Sequence, residues 1–573
     1  PITGEPLRCD NSINIILMTD GDPTSDSNRN SDIKNLHNYY FTANPPVVSN
    51  SYLTALSKVI NGTKDVEIDL YSPTTKTREF GRIYPIGFGT GMSNAGKNLL
   101  SEAAKYGGGQ YLHADTAEQL SEALKNTITR IREVNDTFTS PSIASNNVDQ
   151  TRSRDSIYYA MFYPDSGARW RGNLKKLKVS GTQIIDSANL QALNSEGLID
   201  KGARTFWLPS TAAADGNSVE NGGVNLMLST TANSGRNLYT DAGTAGLIAF
   251  NKNAVSSAYG GDAKAAKAFG VDQDELKNTI DWARGIDVDN EDGDASSSDQ
   301  RLDIFGDPLH SKPVTVDYGN DDVRILIGTN AGFLHMFKDS GNTVSESWAF
   351  IPSSLYGIID PIRKNAADTK KYGVDGPITI YFDDSNRDGI VNGSDKVWAF
   401  FGMRRGGNNY YGLNITDPDN PSLMWGGPIQ GGTGSFTELA QTWSAPTVSF
   451  IKAFGDDPVL IFGAGYDINK DTVILGEDSK GRGIYIVKAS DGTLLWELTP
   501  KKGFKGKNSI AASVTPLDSD YDGYIDRIYA TDTSGSIWRV DMPSNKTSEW
   551  SHFEFAKLNG STNALDRRFF YKP

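Results

Sequence analysis

Apolar and polar positions along the chain fall into three regimes. Up to about residue 135 the pattern alternates between strand and helix. Ile13–Thr19 is a nearly continuous apolar run, broken only by Asn14, and it ends abruptly at Asp20-Gly21. Such runs suit a strand buried on both faces of a parallel sheet. Leu53, Leu56 and Ile60 recur at helical spacing, and Ile83–Phe88 is a second strand closed by Gly89. Ser93–Tyr106 reads as a helix stopped by Gly107-Gly108-Gly109. Asp115 and Glu118 form an N-cap pair for a helix with Leu120, Leu124, Ile128 and Ile131 on one face. This alternation predicts an α/β unit with a doubly wound parallel sheet.

From 136 to 300 the pattern weakens. Ile157–Tyr163 and Trp170–Leu174 read as strands, whereas Thr211–Gly223 and Thr230–Thr244 read as loops or insertions. Asp287–Asp299 is acidic, has almost no apolar anchor, and reads as a solvated loop. From 301 to 573 a repeat emerges: an apolar strand, a Gly or Asp turn, a second strand, then a tryptophan. Arg324–Phe337 leads to Trp348, Val397–Ile415 to Trp425, Val459–Val487 to Trp496, and Arg527–Val540 to Trp550. Repeated β units of this kind fit the blades of a propeller, which typically has about 4–8. Further blades would come from the 136–300 stretch or from beyond Pro573.

Composition narrows the function. The formal charge is −14 over 573 residues, which argues against a phosphate-tracking nucleic-acid binder or a polybasic membrane-surface protein. No apolar run approaches the ~18 residues of a transmembrane helix. Cys9 stands alone, so an intrachain disulfide and a cysteine zinc cluster are excluded. The chain opens at Pro1 without a starting Met, as a processed chain or a cut fragment would.

The sharpest chemical motif is Asp518–Asp526 (DSDYDGYID). Asp518, Asp520 and Asp522 hold positions 1, 3 and 5 of a tight loop, where carboxylates converge as Ca²⁺ requires. Gly523 at position 6 permits the turn, Tyr524 at position 7 offers its carbonyl, and Asp526 sits at position 9. Position 12 is Tyr529, so the closing Glu of an EF-hand is missing, and the flanks read as strands. A second loop has the same register: Asp384, Asn386, Asp388, Gly389, Ile390 and Asn392, with Asp395 at position 12. A third acidic stretch, Asp287, Asp289, Glu291, Asp292 and Asp294, offers ligands without a glycine at position 6. Asp294–Ser298 spells Asp-x-Ser-x-Ser, the pattern of a metal-ion-dependent adhesion site. The hydrophilic residues before it are not a buried strand, so it reads as a coincidence.

Enzyme signatures are lacking. The five histidines form no H-E-x-x-H, and neither a G-x-S-x-G elbow nor a P-loop occurs. Gly87-Phe88-Gly89 does not space out a dinucleotide fingerprint.

These motifs resemble a known combination. Residues 1–135 resemble the C-terminal part of a von Willebrand factor A domain, through Met18-Thr19-Asp20-Gly21, Ile86–Gly89 and Ala103–Tyr111. The resemblance makes Asp20 the third element of that fold's adhesion metal site, with the first element falling before Pro1, so the site is incomplete here. From about Phe138 onward the chain resembles the PilY/PilC family of type IV pilus tip-associated proteins. Trp170–Leu174, Gly306–Val314, Gly328–Phe337, Trp348–Pro352, Val374–Gly376, Gln441–Pro446, Phe462–Asp467 and Asp518–Asp541 carry that likeness, in order. The fold implied is α/β (a partial von Willebrand factor A domain) followed by an all-β modified β-propeller. The expected domains are 1–135, a β-rich connecting region at 136–300, and propeller blades at 301–573.

The resemblance further implies an exported, non-enzymatic protein at the cell surface or pilus tip, outer membrane-associated or periplasmic in transit. It would bind Ca²⁺ at Asp518, Asp520, Asp522, Tyr524 and Asp526, contact pilus subunits, and attach to host or abiotic surfaces. Some members carry Arg-Gly-Asp near the propeller entrance; Phe305-Gly306-Asp307 stands there in this chain, so integrin recognition by that motif is not expected. Related propellers continue past the position of Tyr571-Lys572-Pro573. Two other readings compete: a secreted glycan-binding propeller, and a quinoprotein-like periplasmic enzyme, which the lone cysteine disfavours.

Overall fold

The structure, a computed structural model, describes residues 12–22, 27–62, 80–117, 119–121, 123–124, 127, 138–145, 153–165, 167–194, 197–243, 245–294, 296–365, 369–472, 476–560, 562 and 565–573. Cys9, Glu118, Ile128 and Ile131 lie outside these residues, as does Ala295 of the Asp-x-Ser-x-Ser coincidence. The chain divides into two compact units, Pro1–Asp136 and Thr137–Pro573.

In the first unit Ser12–Thr19 pairs in parallel with Phe80–Phe88, which pairs in parallel with Leu112–Ala114. Helices Asn30–Tyr40, Leu53–Asn61 and Asn94–Tyr106 accompany this sheet. The strand–helix alternation expected from the sequence is therefore present. Ser93 caps the third helix, its hydroxyl accepting from the Ala95 and Gly96 amides at 3.1 and 3.2 Å. Ile83, Ile86, Leu99 and Ala103 form its buried interior. Phe80–Phe88 is buried from Ile83 to Gly87, which is why that run does not alternate. Along Ser12–Thr19, Ile15–Leu17 are half-buried and Met18 is exposed, so the burial on both faces expected there is not found.

The second unit is built from antiparallel sheets, and five are found among the described residues. The first blade runs from Phe138 to Ile185. The second comprises Val314–Asp317, Val323–Gly328, Leu334–Asp339 and Val344–Ile351. The third spans Ile378–Gln430, the fourth Thr447–Leu498, and the fifth Thr515–Lys557. All four repeats read from the sequence are blades, and a further blade precedes them. The connecting region is not a separate layer: Leu238–Thr240 pairs in parallel with Ala349–Ile351 on the outer edge of the second blade.

Alternation along each strand explains how the blades stack. Ile325 and Ile327 of the second blade pack with Tyr158, Ala160 and Leu174 of the first. Their neighbour Leu326 points the other way, into a core shared with Ala399 and Phe401 of the third blade. Phe400 in turn packs with Leu460 and Phe462 of the fourth, and Ile461 with Ile528 and Val540 of the fifth. Period-two side chains on strands sandwiched between two sheets are buried on both faces and so are mostly apolar, Arg324 being a paired exception. The strand Val323–Gly328 is buried throughout for this reason.

Close packing also dictates glycine where second strands end. A Cβ on Gly328 would sit 2.3 Å from the Val374 carbonyl, on Gly402 2.6 Å from that of Thr442, and on Gly463 2.3 Å from that of Ile510. Each time the obstacle is the backbone leading into the next blade.

Four helices missed in the sequence fill the connecting region and pack on the second blade: Gly223–Thr230, Lys252–Tyr259, Asp262–Phe269 and Leu276–Arg284. Phe250, Val255, Phe269, Leu276 and Ile280 join Trp348 and Tyr356 in the largest apolar core.

Candidate metal-binding loops

The two acidic loops occupy one topological position, the connection between the first and second strands of a blade. Asp384–Asp395 lies between Ile378–Asp383 and Lys396–Gly402 of the third blade, and Asp518–Asp526 between Thr515–Leu517 and Arg527–Thr531 of the fifth. Their backbones match. Position 4 is left-handed in both, Arg387 at φ 58° and Tyr521 at φ 61°. Position 6 is glycine with positive φ in both, Gly389 at 72° and Gly523 at 92°, the conformation that excludes most side chains.

The internal hydrogen bonds match as well. Asp384 accepts the Asp388 and Gly389 amides at 3.2 and 2.8 Å; Asp518 accepts those of Asp522 and Gly523 at 3.3 and 2.9 Å. Asp388 accepts from Ile390, and Asp522 from Tyr524, at 2.8 and 2.9 Å. The closing carboxylate receives the position-2 serine in each: Ser385 donates through its amide and hydroxyl to Asp395, and Ser519 likewise to Asp526. Asp395 and Asp526 thus serve one purpose from positions 12 and 9.

The carboxylates converge. Asp384, Asp388 and Asp395 can each bring an oxygen within 4.8 Å of the others, and so can Asp518, Asp520 and Asp522. Hydrogen bonds lower the pKa of Asp388 (chiefly from Asn392), of Asp395 (chiefly from Ser385) and of Asp522 (chiefly from Lys452). All three are therefore anionic at neutral pH. The amides of Asn386 and Asn392 both donate to Asp388 Oδ2, at 3.0 and 2.9 Å, while the Ile390 carbonyl accepts from Asn392 at 3.2 Å. Like charges this close raise one another's energy unless a cation intervenes. An all-oxygen donor set on a glycine-hinged turn fits Ca²⁺.

Each loop leans on the corresponding loop of the preceding blade. Lys452 in the fourth blade reaches Asp522 at 2.5 Å, and Tyr524 donates its hydroxyl to Asp456. Gly319 in the second blade faces Ile390 so closely that a Cβ would lie 2.5 Å from Ile390 Cγ2. Nothing local in the sequence marks Lys452 or Asp456, since both are brought in by blade stacking.

The third stretch is arranged differently from its reading in the sequence. Asp289 forms a two-pronged pair with Arg363 at 2.6 and 2.7 Å, which lowers its pKa. Glu291 takes Arg169 and the Trp282 indole N–H, each at 2.9 Å; burial opposes its ionisation, but these partners outweigh it. Asp287 is buried and accepts the Glu291 and Asp292 amides. The carboxylates that do converge are Asp292, Asp294 and Asp299; Asp299 was not among the expected ligands. In the first unit Asp20 is exposed at the carboxyl end of its strand. Among the described residues it joins no group of three ligating side chains.

Consecutive sheets of four to six strands, each with an antiparallel core and stacked face to face through alternating side chains, define the second unit as β-propeller-type. Residues 314–571 match the family model of the PilY1 beta-propeller domain. That bears out the likeness read from the motifs: this segment is similar to the PilY1 propeller domain. The chain is similar to the type IV pilus biogenesis factor PilY1 of Pseudomonas aeruginosa (strain UCBPP-PA14), 24% identical over 488 residues, covering 78% of this chain and 36% of that protein. It is also similar to a PilY1 homolog of Xylella fastidiosa (strain Temecula1), 23% identical over 238 residues, covering 40% of this chain and 14% of that one. The chain therefore spans about a third, or less, of the length of these relatives. A crystal structure of the Pseudomonas aeruginosa PilY1 C-terminal domain aligns at 21% identity and a TM-score of 0.32, over 44% of this chain and 50% of that one.

Proposed function

We propose that this chain is the propeller-bearing part of a type IV pilus biogenesis factor that works by binding rather than catalysis. The match of residues 314–571 to the PilY1 propeller, together with relatives named as pilus biogenesis factors, carries this reading. Its partners would be pilus subunits at the tip and a host or abiotic surface, and its place the cell exterior after export. Among the described residues no helix is long and apolar enough to cross a membrane, in keeping with that place. Residues 1–135 would be the C-terminal part of a von Willebrand factor A-like domain, with Asp20 as a remnant of its metal site.

We further propose that Ca²⁺ is the cofactor. Asp518, Asp520 and Asp522, with the Tyr524 carbonyl and Asp526, would hold one ion; Asp384, Asn386, Asp388, the Ile390 carbonyl, Asn392 and Asp395 would hold a second. The matched backbones and converging carboxylates support this reading. A bound cation offsets the repulsion among the carboxylates of each loop and stiffens the surface it presents to a partner. The test is a surface-pilus count by electron microscopy in a strain lacking the gene, complemented with wild type or Asp518→Ala. Pili restored by wild type and not by the variant support both proposals; unchanged pili in the deletion strain overturn the biogenesis role.

A further inference from the structure

An arginine on the rim of a cavity between the blades lacks an anion. Arg404 follows the second strand of the third blade, in the turn Met403–Gly406. Its backbone is left-handed, φ 49°, a conformation that costs a side-chain-bearing residue about 1–2 kcal/mol. Strain of this kind persists where the surroundings fix a side chain for a purpose. The guanidinium lies over the Trp443 ring, 4.2 Å from its centroid. Its Nε is buried without a hydrogen-bond partner, and among the described residues no carboxylate pairs with it.

Neighbouring charges sharpen the point. Arg405 also stands over Trp443, at 5.0 Å, but Asp471 neutralises it through two bonds of 2.9 and 3.0 Å. Asp375, the acid nearest in effect to Arg404, is committed to His310 at 2.7 Å and Asn330 at 3.2 Å. Arg404 is thus left without a carboxylate in hydrogen-bonding reach among the described residues, and Asp375 acts on it only through space. In a chain with 70 Asp and Glu against 56 Lys and Arg, a half-buried arginine left unpaired needs an explanation, because desolvating a cation without a partner is costly.

Space for a partner lies beside it. Arg404 and Trp443 line an open cavity of about 580 Å³, hollowed by the small residues Ala445, Ala511, Ala512 and Ser513. Its charged lining residues are Arg404 and Lys572, and no acid is among them.

We propose that this cavity is an oxyanion-binding site, in which the Arg404 guanidinium, braced on the Trp443 indole, grips a carboxylate or phosphate group. Guanidinium presents a planar fork of donors that matches both groups. The site is separate from the acidic loops and does not depend on Ca²⁺.

The test is calorimetric titration of the full chain, without added calcium, using glutarate, inorganic phosphate and the uncharged 1,5-pentanediol as probes. Glutarate or phosphate, or both, should bind, with the diol silent, and Arg404→Gln should weaken binding at least tenfold. Glutarate alone would identify a carboxylate source and phosphate alone a phosphate source. Should Arg404→Gln fail to fold, Arg404→Lys keeps the charge but not the fork and should lose several-fold. Absence of binding by both anions at millimolar concentration overturns the proposal, and so does an affinity unchanged in the folded variant.

Discussion

Lys176 of the first blade reaches Asp339 of the second across 2.6 Å, with both side chains buried. The same carboxylate accepts the Tyr158 hydroxyl at 2.6 Å and the Trp207 indole N–H at 3.2 Å. One acid thereby ties a blade strand, its neighbouring blade and the connecting region together. Removing one partner of a buried ion pair leaves the other charge stranded, typically at about 3–5 kcal/mol. Asp339→Ala should destabilise the second unit by that order, read as a lower urea midpoint. A change below about 1 kcal/mol would mean that water replaces the carboxylate.

Glycines at the blade junctions and in helices should respond oppositely to alanine. Gly402→Ala and Gly463→Ala push a methyl into a carbonyl of the next blade, and such overpacking typically costs about 1–3 kcal/mol. Gly357 lies in the helix Tyr356–Lys364, and a methyl added there would meet nothing within 4 Å. Gly357→Ala should stabilise by about 0.5–1 kcal/mol. Thermal melts of the three variants read both signs in one experiment.

Burial on both faces made the blade strands readable. Val323–Gly328, Lys396–Gly402 and Val459–Gly463 are nearly unbroken apolar runs because each side chain meets one neighbouring blade or the other. The matched acidic loops were legible for a related reason: their register is local, set by Asp and Gly spacing. The helices at 252–284 escaped because they are short and lean on Ala265 and Ala266, whose apolar stripe is too thin to stand out among Ser, Asn and Gly. The third acidic stretch was legible only in part, Asp292 and Asp294 converging with Asp299, because the fate of the rest is non-local. Arg363 and Arg169, distant in sequence, draw off Asp289 and Glu291.

Acid should loosen the second blade through Glu346. Burial alone would raise its pKa, but Arg236, at 2.6 Å, and His335, at 2.8 Å, bring it down to about 2. A depressed carboxylate contributes stability that is full above its unfolded value near 4.5 and is lost as pH falls toward 2. His335, whose pKa burial lowers, also resists protonation in the folded state, so its effect has the same sign. The melting temperature should fall between about pH 4.5 and pH 2, and Glu346→Gln should flatten that part of the profile while lowering stability at neutral pH. An unaltered slope in the variant would place acid sensitivity elsewhere.

The two matched loops should bind calcium independently, because they belong to the third and fifth blades and share no side chain. Titration of chelator-stripped protein should reveal two sites. The loop of Asp518, Asp520 and Asp522 should be the tighter, since position 3 carries a carboxylate where the other loop has Asn386, and affinity rises with ligand charge. Lys452, now on Asp522, competes for that carboxylate, so Lys452→Met should tighten this site alone. Asp518→Ala should abolish the tighter site and leave the weaker; Asp384→Ala should do the reverse. Asp292→Ala should change neither, as Asp292 belongs to neither of the two matched loops. If Asp518→Ala leaves both affinities in place, the ions bind elsewhere and the likeness of the two loops reflects turn geometry alone.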